Sequence, residues 1–105
     1  MAQIIWTEPA LQDLSEIAEY IALDKISAAN KLVKKVFSST ERLEQFPKSG
    51  RNPPELTNSR YLELIVNPCS IFYRIDQEKI YIVYVMRSER KLRNYMLEDC
   101  AKDNS

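Results

Sequence analysis

The stretch "RYLELIVNPCSIFYRIDQEKIYIVYVM", Arg60 to Met86, constrains the fold of this chain more than any other. It holds three β-rich runs, Arg60–Val66, Ile71–Ile75 and Lys79–Met86, parted by "NPCS" and "DQEK". Both connectors have the length and residue types of hairpin turns, so the runs read as a three-stranded antiparallel meander. The third run is apolar on both parities, with Ile80, Ile82, Tyr84 and Met86 on one and Tyr81, Val83 and Val85 on the other. A strand of that kind belongs in the interior of a sheet, covered on both faces.

The first half of the chain changes period. "QIIW", Gln3–Trp6, is a short β-prone run that stops at "TEPA". Thr7 suits an N-cap, Glu8 the positive end of a helix, and Pro9 a first turn. Leu11, Leu14, Ile17, Ala18 and Ile21 then recur at helical spacing, which predicts a helix from about Glu8 to about Leu23. After the tight link "LDKIS", Ser27 is placed to cap a second helix with Ala29, Leu32, Val33, Val36, Phe37, Leu43 and Phe46 as its apolar positions. Pro47 ends it. So short a link makes the two helices an antiparallel hairpin, and neither can bury its stripe alone. "PKSGRNPPEL" is the one clear loop, with three of the five prolines and the single glycine. "SERKLRNYMLEDC" offers at most a short terminal helix, with Leu92, Tyr95 and Met96 as a weak stripe.

The expected fold is therefore α+β in two layers. An N-terminal strand and a helix hairpin precede the meander, in the order β-α-α-β-β-β with a possible short C-terminal helix. The 105 residues fit one domain, assigned to 1–97, with 98–105 as a polar tail. Hydrophobic content of 45% and charged content of 29% exclude a disordered chain. A net charge of zero gives no electrostatic case for nucleic-acid binding, but the charges are segregated. Residues 1–24 hold five acids and no base, residues 25–51 seven bases against two acids, and Arg87–Leu97 four bases and one acid. Cys69 and Cys100 lack metal-ligand spacing and there is no histidine, so no metal and no cofactor are expected, and two reduced thiols fit a cytoplasmic protein. "MAQIIWTEPA" has no basic n-region or long apolar stretch, and no run approaches membrane-spanning length.

Four pieces, in order, carry a family likeness: "IIWTEPALQDLSEIAEYI", "LEQFPKSGR", "SRYLEL" and "IFYRIDQEKIYIVYVMRSERK". Together they span Ile4 to about Tyr95, and the chain resembles the RelE/ParE toxins of type II toxin–antitoxin systems, the ParE branch more closely. The resemblance implies the same β-α-α-β-β-β fold. It implies a toxin that inhibits DNA gyrase and blocks replication without being an enzyme. It also implies a hetero-oligomer with a cognate, ParD-like antitoxin, and neither a membrane partner nor sequence-specific DNA binding by this chain. RelE-like members instead cleave mRNA in the ribosome, and that is the alternative, beside a non-toxic relative that only binds its antitoxin. The family's ParE-like pattern usually carries a histidine where Met86 or Arg87 stands here.

Chemistry separates the branches. Attack by a 2′-hydroxyl needs a base, an acid and cations around the phosphorane. Cations are present in Arg74, Arg87, Arg90, Lys91 and Arg93, but the proton-transfer pair is not evident. Tyr95 is the best candidate acid and Glu89 the best base, yet Glu89 sits among arginines that hold it ionised. No catalytic residue is assigned. Arg74, Arg87, Arg90 and Arg93 are the candidate target-binding residues, although Arg74 has an equal claim to a cross-strand pair with a carboxylate such as Glu63. The candidate antitoxin surface is the hairpin: Tyr20, Ile26 and Phe37 as surplus apolar positions beside a basic strip of Lys31, Lys34 and Lys35.

Overall fold

The computed structural model describes residues 2–53 and 60–87. β1 (Gln3–Trp6), α1 (Glu8–Ala22), α2 (Ile26–Glu41) and a short 3-10 turn (Arg42–Glu44) come first. β2 (Tyr61–Val66), β3 (Cys69–Asp76) and β4 (Lys79–Arg87) follow. They form one sheet in the order β1-β4-β3-β2. β2, β3 and β4 are the expected meander, and β1 adds beside β4 in parallel, pairing Ile4 with Ile80 and Trp6 with Ile82. The run that was apolar on both parities is thus an interior strand.

Local chemistry explains where α1 begins. The Thr7 side chain accepts a hydrogen bond from the Ala10 N–H, and its hydroxyl donates to the Ile82 carbonyl at 2.7 Å. One residue therefore caps the helix and ties its start to β4. The inward stripe is Ala10, Leu14, Ile17 and Ile21, packed on the sheet. Leu11 faces solvent instead, because it lies a full 100° round the helix from Ala10. α2 starts two residues earlier than a Ser27 cap predicts, with Lys25 at the cap position and no side-chain cap bond. The missing cap costs about 1 kcal/mol. Burial of Leu32 and Val36 contributes about 1.5–3 kcal/mol each and outweighs it. Phe37 is not surplus: its ring packs on Trp6 with centroids 4.9 Å apart, and it belongs to the main core.

Both helices cover one sheet face, where Val66, Cys69, Ile71, Tyr73, Ile80, Ile82 and Val85 meet Leu14, Leu32, Val36 and Leu43. The parity along β4 changes between Ile82 and Val85. Phe72 pairs with Tyr84 but Tyr73 with Ile82, so Val83 is an extra residue, a β-bulge. The bulge keeps Ile80, Ile82 and Val85 all on the helix side. Cross-strand rows on the other face read Tyr61–Arg74–Tyr81, Glu63–Phe72–Tyr84 and Ile65–Ser70–Met86. Ser70, Phe72 and Met86 are buried there, in a second small cluster with Val83 and Tyr84 at its margin. Among the described residues no helix or strand packs on that side.

The loop after α2 is clasped to the sheet. The Tyr73 hydroxyl donates to the Pro47 carbonyl at 2.8 Å and accepts from the Gly50 N–H at 2.9 Å. A Cβ at residue 50 would lie 2.6 Å from that hydroxyl and 2.9 Å from the Glu63 carbonyl, so only glycine fits the approach. Arg51 then pairs backbone to backbone with Glu63 on the outer edge of β2.

Candidate functional site

Arg74 and Arg87 do not share a site. Arg74 lies on the open-side row, its guanidinium 4.3 Å from the centre of the Tyr81 ring and 3.7 Å from the Asp76 carboxylate. Arg87 pairs across from Cys69, on the helix side, and its guanidinium lies 4.9 Å from the Tyr20 ring of α1. Tyr81 and Arg87 are separated along β4 by roughly 20 Å at about 3.3 Å per residue. The two arginines therefore occupy opposite faces and opposite ends of the sheet. Glu63, the expected cross-strand partner of Arg74, is engaged elsewhere: its buried carboxylate accepts from Arg51 Nε at 3.1 Å. Arg90 and Arg93, with Glu89 and Tyr95, lie outside the described residues.

The hairpin set divides as well. Phe37 is turned into the core. Lys31, Lys34 and Lys35 lie on the solvent side of α2, opposite Ala29, Leu32 and Val36. Tyr20, 61% exposed, lies on the flank of α1 that faces Arg87, and Ile26, 70% exposed, stands at the hairpin tip. Sequence reasoning missed Leu23, which at 85% exposure is the most open large apolar side chain of the tip. The signal was present: leucine in a link too short to fold back on itself has nowhere to bury.

Asp13 is a second residue that the pattern of α1 concealed. Its carboxylate accepts a hydrogen bond from the Val85 N–H at 3.1 Å, on the edge of β4 beyond the last residue that pairs with β1. Burial raises its pKa above the ordinary aspartate value, the bond from Val85 opposes that, and the neighbouring Glu16 charge adds to the rise. Burial likewise raises the Tyr73 phenol, against the bond from Gly50. Both groups hold backbone in place. Among the described residues no cluster of histidine, cysteine, aspartate or glutamate could hold a metal ion, and no helix is long and apolar enough to cross a membrane.

A chain with this order of elements matches the model of the ParE toxin of type II toxin–antitoxin systems over residues 4–92. The chain belongs to that family. A putative toxin, Y4kP, of Sinorhizobium fredii is 35% identical over 89 residues, 85% of this chain and 91% of that one. Toxin RelE2 of Caulobacter vibrioides is 30% identical over 91 residues, 86% of this chain and 99% of its own. Among solved structures, a chain of the chromosomal ParDE toxin–antitoxin system of P. aeruginosa superposes with a TM-score of 0.71 at 26% identity, over 85% of this chain and 98% of that one.

Proposed function

We propose that this toxin acts by gripping DNA gyrase, performs no chemistry itself, and is neutralised by a ParD-like antitoxin that covers the helix hairpin. The dispersal of Arg74 and Arg87 carries the reading. Phosphoryl transfer needs cations, a base and an acid converging on one phosphate. Here the two arginines are stacked on tyrosines at opposite corners. Asp13, Glu63 and Tyr73 are committed to backbone and loop contacts. A grip needs only a rigid, charged edge. We assign the grip to Arg87, Arg90 and Arg93, near one another in the sequence, with Arg74 as a separate contact at the far end of the sheet.

The antitoxin assignment rests on Tyr20, Leu23 and Ile26 beside Lys31, Lys34 and Lys35, a surface suited to an acidic amphipathic segment. One relative carries the RelE name, so mRNA cleavage at the ribosome is the second reading. Purified chain should block supercoiling by gyrase and leave mRNA intact in a translating extract. Loss of message with normal supercoiling would reverse the assignment. Hydrogen exchange with antitoxin should protect the hairpin, and protection confined to other surfaces would remove that part.

A further inference from the structure

The two helices carry opposite charges on their solvent sides. At 100° per residue, Glu16 and Glu19 lie on the side of α1 away from Ala10 and Leu14. Lys31, Lys34 and Lys35 lie on the side of α2 away from Ala29 and Val36. Glu16 accepts a hydrogen bond from Gln12 on its own helix, but among the described residues no ion pair engages any of the five. Counted from Asp24, in the middle of the link, Glu19 and Glu16 stand five and eight residues out along α1. Lys31 and Lys34 stand seven and ten out along α2. At about 1.5 Å per residue the acidic and basic rows therefore occupy the same level of the hairpin. At its tip Leu23 and Ile26 are open to solvent.

We propose that this helix layer binds a second copy of itself, about a two-fold axis that runs along the hairpin between the copies. That axis lays α1 of each copy over α2 of the other and keeps every level in register. Glu16 and Glu19 of one copy then face Lys31 and Lys34 of the other, twice over, and the two tips bring Leu23 and Ile26 together. An axis across the hairpin would stack α1 on α1 and set acid against acid, so the charges select one arrangement. Such a contact is isologous and closes as a dimer. Its size sets its strength. α1 has 15 residues and is about 22 Å long, so two helices about 10 Å wide give a footprint of roughly 440 Å². A stable interface takes about 800 Å² from each partner, so the pairing is weak and exchanges readily. The proposal does not rest on the antitoxin reading, and antitoxin on the hairpin excludes the second copy.

Sedimentation velocity on the full chain at low salt should show a dimer at about 100 µM that dissociates on dilution to about 1 µM. Added salt should weaken it. Glu16→Lys/Glu19→Lys and Lys31→Glu/Lys34→Glu change only solvent-facing positions, and each should sediment as a monomer, because like charges then meet twice. Their equimolar mixture should restore the dimer. Leu23→Asp should raise the Kd about ten-fold or more, in the otherwise unaltered chain and in the mixture alike. A wild-type chain that is monomeric at every concentration overturns the proposal. So does a dimer that persists unchanged in both charge variants or in Leu23→Asp. A mixture that stays monomeric, while each variant melts like wild type, overturns it as well.

Discussion

The two faces of the sheet are built by different means. On the helix side, Ile71, Ile80, Ile82 and Val85 interlock with Leu14, Leu32 and Val36, and the Tyr73 hydroxyl both donates and accepts. On the other side Phe72 and Met86 share the surface with Glu63, Ser70 and Arg74. The first face is held by shape. The second is held by pairing, since a buried carboxylate such as Glu63 is tolerated only with a partner like Arg51. The helix side should therefore respond most to lost volume, and the other side to lost partners.

The largest effect should come from Ile82→Ala at the centre of the helix side, a loss of about 2–5 kcal/mol in urea unfolding. A loss as small as that of an exposed residue would contradict an interlocked face. Next is the clasp. Gly50→Ala pushes a methyl against the Tyr73 hydroxyl and should cost about 1–3 kcal/mol. Tyr73→Phe should cost about 1–3 kcal/mol by leaving the Gly50 N–H and the Pro47 carbonyl unpaired. The double variant should lose less than the sum, because the phenylalanine lacks the oxygen that the methyl meets. Strict additivity in that cycle would show that the two residues do not report one contact.

Much of this contrast was legible in the sequence, and the failures share a cause. β1 was read at its true bounds, and β4 as interior, because a short β-prone run and a doubly apolar run are local signals. Leu11 was misjudged because a stripe read from hydrophobic residues ignores a small one, and Ala10 is the residue that fits closest to the sheet. Phe37 seemed surplus because its partner, Trp6, lies a whole helix hairpin away in the chain. That Arg87 lies on the opposite face from Arg74, its fellow candidate, was hidden because nothing in "IFYRIDQEKIYIVYVMRS" announces that Val83 is a bulge. Glu63 was paired with the wrong arginine because the loop that brings Arg51 to β2 is positioned by a tyrosine 22 residues beyond it, Tyr73.

Two smaller effects sharpen the comparison at its borders. Asp13 joins α1 to the β4 edge, and its raised pKa means the folded state holds its proton to higher pH than the unfolded chain does. Its contribution to stability is therefore lost as pH rises from the ordinary value of 3.8 through the folded pKa, and is constant above that. Asp13→Asn keeps an oxygen for the Val85 N–H and does not titrate. Its melting-temperature advantage over wild type should grow across that window and then level off. A difference independent of pH would show that Asp13 titrates alike in both states. The smallest effect belongs to the β3–β4 turn, where Gln77 has φ 59°. Gln77→Gly should stabilise by about 0.5–1 kcal/mol, the left-handed cost minus the added freedom of the unfolded chain. A destabilised glycine variant would mean the glutamine side chain supports the turn.

The position of β4 also sets the order of events during synthesis. The ribosome releases β1 first and β4 last among the described strands, yet the two lie side by side, Ile4 against Ile80. Until Lys79–Arg87 has emerged, Gln3–Trp6 has no strand to pair with, β3 has a bare edge and Thr7 cannot reach the Ile82 carbonyl. Pairing of residues so distant in the chain is slow compared with the closing of a local hairpin. A nascent chain is therefore without β4 until after every other described strand has been made. A message cut short before the codon for Lys79 yields a product that lacks β4 and cannot assemble this sheet.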